Sequence, residues 1–336
     1  MEIQCTWGYV NLPSDIKNQL VNANIYYSSQ WDSYTRARGE RMCYLWDENY
    51  ILNIRVKTVL FLSGGILDSE PFALSYNTSS SAEAQFLTDC CHYLKKTKIT
   101  WVECGPGACF QTYPQGAVVL RRGNYVLDLR HSDDELMKII HSKQRNMIRR
   151  AMKENVTLKR NSLPLLKDYK SIEDEVWERN EMPCKPLSYY ETMYNSLPDS
   201  CSIAVAYQDN VPQAGGIFLY TPTMAYYHHG ASHSGCTPGS HAYLLWDEFL
   251  YLRDKGVQKI NFVGYRPGLD PSSKGYRIQH FKERFGGQLV GTYFFKYVSR
   301  RFLFFLYRLS QMILNHENYH DFYDTQSKDY PELNGR

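Results

Sequence analysis

The segment from Tyr226 to Phe285 constrains the fold of this chain more than any other part of the sequence. It reads, in order, as a strand (YYHHGAS), a Pro-Gly loop, a helix (HAYLLWDEFLYLRDKG), a second strand (INFVG) and the motif FKERFGG. A helix that follows a turn between two strands can direct its unpaired backbone N–H groups at an anionic ligand. The order of elements therefore predicts an α/β unit with a binding site at the start of its helix.

The composition is typical of a globular protein with two domains. The chain has 336 residues, of which 43% are apolar and 22% charged, and this length is enough for two separate cores. The formal net charge of +3 is too small to indicate nucleic-acid binding without a local basic cluster. Nine cysteines, an odd number without CxxC spacing, predict reduced thiols and a cytosolic protein.

Neither a secretory signal nor a membrane-spanning segment is predicted. The N-terminus MEIQCTWGYV lacks a basic region followed by an apolar one. After Gly291, the apolar and basic run RRFLFFLYRL is too short to cross a bilayer, so it either packs on the protein or lies at a membrane interface. We favour packing, and we predict a cytoplasmic protein for which peripheral contact with the inner face of the membrane stays open.

One pattern of helix, strand and glycine occurs twice. Residues 82–96 read as a helix and are followed by the strand-like ITWV and Gly105, while residues 240–255 read as a helix followed by INFV and Gly264. The two spacings are nearly equal, which predicts a duplicated α/β unit. Three strands that form an antiparallel meander are expected before the second helix, at residues 202–207, 214–220 and 225–229. A meander that leads into a helix and another strand indicates an α+β fold.

A basic amphipathic helix is predicted between the two halves, over residues 132–155. It begins with the capping box Ser132-Asp-Asp-Glu135, is broken near Ser142 and ends at Asn155 as a C-cap. The cluster from Lys143 to Arg160 is rich in lysine and arginine. It is either a solvated face or a site for the phosphates of a nucleotide, a lipid pyrophosphate or a tRNA backbone.

The loop before the second long helix is the first candidate for chemistry. Gly235, Pro238 and Gly239 permit a tight turn, and the N–H groups that follow could hold a pyrophosphate or an ester carbonyl. The alternative is an ordinary helix N-cap supplied by Ser240.

Several histidines near this loop raise the question of a zinc site. His228 and His229 are consecutive on a predicted strand and would point to opposite faces, so no metal site is predicted. His229 or His228 remains a candidate general base, since an unperturbed imidazole titrates near neutral pH.

Lys282 is the next candidate, because Phe281 and Phe285 flank it in the FKERF motif. Its ammonium group either covers the aromatic rings as a solvated charge or stabilises a phosphate or a developing oxyanion. The sequence contains no GxGxxG, GxxxxGK[ST], GxSxG or HExxH motif, so the dinucleotide, P-loop, hydrolase and zincin classes lack their signatures.

Five segments match motifs of one transferase family in order and spacing. They are SKQRNMIRRA at residues 142–151, AYYHHGA at 225–231, the loop and helix of 238–256, FKERFG at 281–286 and YSSQW at 27–31. In this order they resemble the basic helix, donor strand, donor loop, active-site lysine motif and first-domain start of the Fem-type peptidoglycan transferases. The related BioF2-like acetyltransferases, which also belong to the GNAT superfamily, share these features.

Three positions depart from the family pattern. The Q/R-x-x-G-x-G/A pyrophosphate loop is missing from residues 231–241, and Thr35 stands where Fem-type proteins often have a lysine. Asn261 occupies the place of an acidic residue in the strand before the last motif. These positions bear on acetyl-CoA binding, on recognition of a muramyl-peptide precursor and on the supply of a base, respectively.

The resemblance implies an α+β fold of two tandem GNAT-like domains, each with a mixed, largely antiparallel sheet flanked by helices. Residues 1–130 would form the first domain, on which residues 300–336 pack back. Residues 131–299 would form the second domain, with the basic helix at its start and the active site within it.

The same resemblance implies a GNAT-type acyltransferase that acts on an amine, or less readily a hydroxyl, of a nucleotide-, sugar- or lipid-linked cell-envelope precursor. The donor stays open between acetyl-CoA or another acyl-CoA and an aminoacyl-tRNA, so tRNA is a candidate partner, and no metal is expected. The alternative is a non-catalytic pair of GNAT-like domains that binds a nucleotide- or lipid-linked ligand.

Residue roles follow from this resemblance as expectations. Lys282 would stabilise the oxyanion, Tyr265 would donate a proton to the leaving group, and His229 would accept the proton of the acceptor amine. The donor would bind at Pro238, Gly239, Ser240 and His241, and the acceptor phosphates at Lys143, Arg145 and Arg149.

Overall fold

The computed structural model describes residues 2–21, 23–76, 78–180 and 183–315. The chain forms two compact units, of which unit 1 comprises Met1–Asn124, Gly264–Gly268 and Val290–Arg336, and unit 2 comprises Tyr125–Val263 and Leu269–Leu289. The helices and strands of the described residues are, in order, β1 (Gln4–Trp7), α1 (Ser14–Leu20), α2 (Ser29–Ala37), β2 (Arg41–Trp46), β3 (Tyr50–Val59), β4 (Leu62–Leu67), β5 (Phe72–Ala73), α3 (Ser80–Tyr93), β6 (Ile99–Cys104), β7 (Val118–Asp128), α4 (Asp133–Ile139), α5 (Ser142–Lys153), β8 (Thr157–Arg160), α6 (Leu165–Glu178), α7 (Leu187–Ser196), β9 (Cys201–Gln208), β10 (Val211–Tyr220), β11 (Ala225–Ser232), α8 (Ser240–Asp254), β12 (Lys259–Asn261), α9 (Lys274–Arg284), β13 (Gln288–Val298) and α10 (Arg301–Asn315).

Unit 1 is built on strands in the order β1-β2-β3-β4-β6-β13, with β5 paired to β3. Strands β1 to β4 pair antiparallel as a meander. Strand β6 then pairs parallel to β4, and α3 connects the two. A parallel pair requires such a crossover connection. Strand β13 closes this sheet antiparallel to β6.

Unit 2 repeats this arrangement. Strands β8 to β11 pair antiparallel, β12 pairs parallel to β11 after the crossover through α8, and the last residues of β7 pair antiparallel to β12. The structure therefore confirms the expected α+β fold, the antiparallel meander and the repeated helix-strand pattern.

Apolar side chains of the strands are buried under the helices that cover each sheet. In unit 1, Phe86 and Leu87 of α3 pack with strand residues that include Ile54, Val102 and Phe295. In unit 2, α8 is buried over most of its surface (Ala242, Leu244, Leu245, Trp246, Phe249 and Leu252). A helix that is apolar nearly all round belongs in a core.

The segment between the two halves forms two helices, as predicted. The capping box is present, since the Ser132 hydroxyl and the Glu135 side chain each bond the other residue's backbone N–H. α4 ends at Ile139 and α5 begins at Ser142, which confirms the predicted break. Asn155 follows α5 in the left-handed conformation, with φ of 57°, as expected for a residue just after a helix.

Helix α10 lies in unit 1 and packs on β6. The rings of Phe304 and Tyr307 lie 5.3 Å and 4.4 Å from that of Trp101. The remainder of the segment expected to pack on the first domain, residues 316–336, lies outside the described residues. Among the helices described, none is both long and apolar enough to cross a membrane.

Candidate functional site

The two parallel strands of unit 2 separate and leave an opening between them. β11 pairs with β12 only where Ala225 and Tyr226 face Ile260 and Asn261. β11 continues to Ser232, whereas β12 ends at Asn261. Ligands of open α/β sheets bind outside the carboxyl ends of parallel strands, so this opening is the first place to look for a site.

A cavity of about 820 Å³ lies at the opening, a volume that suits a ligand of ordinary cofactor size. Its walls come from the diverging strands, the start of α8, helix α9 and the end of α6. The lining residues are Arg179, Asn180, Tyr227, His228, Gly230, Ser232, His241, Phe262, Val263, Lys274, Arg277, Ile278, Phe281 and Lys282.

The charge of this lining is entirely positive. It includes the cations Arg179, Lys274, Arg277 and Lys282, and none of the lining residues is Asp or Glu. A cavity with walls of one charge concentrates ligands of the opposite charge. The cavity is therefore suited to a ligand that carries phosphate or another anionic group.

Lys282 reaches the cavity from the last turn of α9 and is buried. Its ammonium group donates a hydrogen bond to the carbonyl oxygen of Val263. Val263 has φ of 47°, an unfavourable conformation for a β-branched residue, and its N–H donates to Asn261 Oδ1 at 2.8 Å. Backbone strain of this kind concentrates at functional sites. The expected strand through Val263 is thus wrong at its end, because the Asn261 amide turns the chain there.

His241 contributes its side chain to the cavity wall. Its Nε2 lies 2.6 Å from the Tyr227 hydroxyl oxygen, and its Nδ1 lies 2.6 Å from Ser232 Oγ. Burial lowers the pKa of His241 to about 4, since the charged imidazolium loses its hydration. The neutral ring therefore links two hydroxyl groups at physiological pH.

The low pKa of His241 predicts a pH dependence of stability. An imidazole with a pKa of 6.5 in the unfolded chain and about 4 in the folded chain binds its proton only in the unfolded state between these values. The stabilisation that neutral His241 contributes is thus fully present above pH 6.5. The free energy of unfolding falls by about 3 kcal/mol as the pH drops to 4. We expect urea titrations across this range to show a smaller loss for His241→Asn than for the parent. Equal losses would contradict the assignment.

A β-bulge determines where the two consecutive histidines lie. Ile217 faces His229 and Phe218 faces Tyr227, so His228 has no opposite residue on β10. The His228 and His229 ring centroids are 4.6 Å apart, which makes the expectation of opposite faces wrong. His228 lines the cavity, whereas the His229 ring packs edge-on against two tyrosines of α7, Tyr189 and Tyr190.

Metal ligation is a separate question for these histidines. Within the part of the chain that the structure describes, no group of three or more His, Cys, Asp or Glu side chains is placed to hold a metal ion.

The Pro-Gly loop packs on helix α5. Gly239 has φ of 94°, and a Cβ there would overlap the carbonyl oxygen of Met147. Gly239 is itself the N-cap residue of α8 without a side-chain cap bond, and the Ser240 hydroxyl donates to the Thr237 carbonyl oxygen at 2.8 Å. Of the expected donor residues, His241 lines the cavity, and Pro238, Gly239 and Ser240 lie beside it in the chain.

Tyr265 lies in unit 1. Its backbone N–H donates to the Gly123 carbonyl oxygen at 2.7 Å, and the Gly123 N–H donates back at 3.3 Å. Tyr265 lines a second cavity, of about 290 Å³, together with Glu103, Cys104, Pro106, Arg122, Gly264, Arg266 and Phe294. The residues expected to be catalytic are therefore divided between the two units, with Lys282 and His229 in unit 2.

The three expected acceptor-binding residues lie on α5 and have different surroundings. Arg145 Nη1 donates to the carbonyl oxygens of Met137, Lys138 and Ile140, at 3.4, 3.2 and 2.6 Å. Arg145 thus satisfies the carbonyl groups at the end of α4, which have no partner within that helix. Lys143 and Arg149 are exposed.

Three cavity cations were missed by the sequence interpretation. Lys274 and Arg277 share a stripe of α9 with Ile278, Phe281 and Lys282 at spacings of three and four residues, so helical periodicity around the FKERF motif could have identified them. Arg179 directly follows the last residue of α6, and nothing in its local sequence indicates the cavity.

Comparisons with known proteins bear on both units. The FemAB family model matches this chain twice, at residues 107–211 and 205–311. Comparison with curated protein sequences finds no significant match.

Solved structures show a similar fold. The crystal structure of FemX has a TM-score of 0.70 and 14% identity, covering 91% of this chain and 99% of FemX. The structure of L-PGS from Bacillus licheniformis has a TM-score of 0.50 and 14% identity, covering 82% and 90% of the two chains. Because the family model spans more than half of the sequence in two overlapping matches, this protein belongs to the FemAB family and is a Fem-type acyltransferase.

Proposed function

We propose that the protein transfers an acyl group from a polyanionic carrier to an amine of a nucleotide-, sugar- or lipid-linked cell-envelope precursor. The observation that carries the proposal is the cationic cavity of unit 2, in which Lys282 is buried at the point where the parallel strands separate. An acyl-CoA and an aminoacyl-tRNA both carry several phosphate groups, so four cations without a carboxylate in the lining suit either carrier.

In the proposed reaction, the acceptor amine attacks the carbonyl carbon of the thioester or ester. A C–N bond forms, the carbonyl oxygen becomes an oxyanion, and the C–S or C–O bond then breaks. The carrier leaves with a proton, and the attacking amine loses one. A preorganised donor aimed at the oxyanion is the largest contribution that a protein usually makes to this chemistry.

Lys282 is the proposed oxyanion donor. Its bond to the Val263 carbonyl oxygen holds the ammonium group in place before the substrate enters, and burial strengthens its interaction with a developing negative charge. Tyr265 remains the proposed proton donor to the leaving group. Of the two adjacent histidines, we favour His228 over His229 for the acceptor's proton, since His228 lines the cavity.

For the acceptor, we propose phosphate contacts from exposed residues of α5. Lys143 and Arg149 are exposed and available for such contacts, whereas the carbonyl groups at the end of α4 already occupy Arg145. Charge reversal at Lys143 and Arg149 should therefore weaken acceptor binding more than removal of Arg145, whose loss should mainly destabilise the end of α4.

Charge reversal in the cavity tests the donor site. We expect Arg179→Glu and Arg277→Glu each to weaken binding of the donor by about tenfold or more, because each replaces a favourable contact with a phosphate by a repulsive one. Calorimetric titration with CoA, acetyl-CoA and a total tRNA preparation would measure the effect and identify the carrier class. Lys153→Glu, an equal change of charge on the exposed surface of α5, is the control.

The binding results distinguish a specific donor site from an effect of net charge. Weakening by the two cavity variants, with unchanged binding by Lys153→Glu, would support the cavity as the donor site. Equal effects of all three variants would mean that only net charge matters and would contradict it.

A further inference from the structure

The hairpin that joins β3 to β4 in unit 1 has an apolar tip. Val59, Leu60 and Phe61 form it, with 89% of Leu60 and 65% of Phe61 exposed. Leu60 adopts the left-handed conformation, with φ of 56°. Turns of this kind usually contain Gly, Asn or Asp. Three apolar side chains here leave a large hydrophobic surface that the core of unit 1 does not use.

Helix α10 of the same unit also exposes an apolar stripe. One face of the helix packs through Phe304 and Tyr307 on Trp101. The other face carries residues three and four positions apart, and 72% of Phe302 and 61% of Phe305 are exposed. Leu309, Met312 and Ile313 continue this stripe and are also exposed. The helix is therefore apolar on two faces. Only one of them packs on unit 1, and the other is exposed.

Strand pairing brings the hairpin tip and the start of α10 to the same end of the sheet. Ser63, just after the tip, pairs with Ile99 at the start of β6. β13 runs antiparallel to β6, so its last residue, Val298, pairs with Trp101. The Ser299 hydroxyl then donates to the Ile99 carbonyl oxygen at 2.5 Å. Both apolar surfaces thus begin at the edge where β6 starts, and we call them together the docking end.

The charge of the docking end is positive. The three segments that meet there, residues 54–67, 90–102 and 288–315, contain no Asp or Glu. Their cations at this edge are Lys57, Lys95, Lys96, Lys98, Arg300 and Arg301, all of them exposed except the partly buried Arg300. Arg300 donates from Nη2 to the Thr97 carbonyl oxygen at 2.6 Å, which joins the start of α10 to the lysine-rich loop.

We propose that the docking end binds the surface of a membrane that contains anionic lipids. Apolar side chains that project from a turn and from an amphipathic helix can enter the boundary between head groups and acyl chains. The surrounding lysine and arginine residues can contact the anionic head groups, each adding attraction that salt weakens. This inference goes beyond the proposed reaction and does not depend on it.

Vesicle co-sedimentation of the full chain tests the proposal. The probes are vesicles of phosphatidylcholine alone and vesicles with about 30 mol% phosphatidylglycerol. We expect saturable binding to the anionic vesicles, and a loss of about tenfold or more in partitioning for Leu60→Ser/Phe61→Ser and for Phe302→Ser/Phe305→Ser. Lys57→Glu/Lys98→Glu should remove most of the dependence on phosphatidylglycerol.

Val211→Ser is the matched control. Val211 is also exposed and lies beside the β9–β10 hairpin turn of unit 2, so this variant should bind like the parent. Circular dichroism and thermal unfolding of each variant would establish that it is folded.

Three results would overturn the proposal. The first is binding no stronger to anionic vesicles than to phosphatidylcholine. The second is a concentration-dependent dimer in analytical ultracentrifugation that the serine variants abolish, which would assign the docking end to a second copy of the chain. The third is vesicle binding that occurs only after deletion of residues 316–336. That result would mean that this segment, and not a membrane, occupies the docking end in the full chain.

Discussion

Replacement of Lys282 by alanine is expected to reduce the turnover number by two to three orders of magnitude. The loss of one preorganised donor to an oxyanion costs about 3–4 kcal/mol of transition-state stabilisation in enzymes of comparable chemistry. Lys282 is buried in the cavity wall and already oriented by the Val263 carbonyl oxygen. Single-turnover measurement with the donor identified by calorimetry would determine the effect on the chemical step.

Two further variants separate chemistry from binding. Lys274→Ala removes another cavity cation, one whose Nζ bonds Asn180 Oδ1 at 2.6 Å. This variant should raise the KM for the donor and leave kcat within a few fold. Lys282→Arg keeps the positive charge but not the geometry of the ammonium group. Its turnover number is therefore expected to lie between those of Lys282→Ala and the parent. Full turnover by Lys282→Ala would remove this lysine from the mechanism, and loss of donor binding alone would make it a binding residue.

Replacement of Gly239 by alanine is expected to lower the free energy of unfolding by about 4 kcal/mol. A Cβ at this position would overlap the Met147 carbonyl oxygen, and a backbone atom cannot move aside as a flexible side chain can. The left-handed conformation, with φ of 94°, adds a conformational cost for any L-residue. Overpacking and backbone strain each typically cost about 1–3 kcal/mol. Chemical denaturation would measure the sum.

The other end of α8 supplies the control for this change. Gly256 has φ of 82°, and a Cβ there would meet no atom within 4 Å. Gly256→Ala should therefore show only the conformational cost, about 1–2 kcal/mol. Equal effects of the two substitutions would mean that the loop yields at Met147, and that the approach of α5 to the start of α8 is not rigid.

Much of the fold could be predicted because local signals and tertiary structure agree. The capping box at Ser132, the break before Ser142 and the periodicity of α8 each depend on residues close in sequence. The meander could be predicted because Asp209 and Asn210, residue types that favour turns, separate two apolar runs, and both residues adopt the left-handed conformation in the structure. These features are local, so one sequence is enough to identify them.

The parts that could not be predicted depend on pairing between distant residues. The bulge at His228 results from how β11 pairs with β10. It brings the rings of His228 and His229 together, although consecutive strand residues are expected on opposite faces. The turn at Val263 requires the Asn261 amide to override the preference of valine for extended structure. Arg179 reaches the cavity from a helix far away in sequence. Local propensity contains no information about such contacts.

The pairing of β13 with β6 has a consequence for how the protein is made. Lys296 faces Glu103 in this pair, so the sheet of unit 1 is closed by a strand synthesised almost two hundred residues after its neighbour. A ribosome-bound chain cannot complete the sheet of unit 1 until β13, which ends at Val298, has left the exit tunnel. Contacts so distant in sequence slow folding, and the unpaired edge of β6 is exposed to aggregation in the meantime. Chaperone dependence of the nascent chain should therefore persist until residue 298 has emerged.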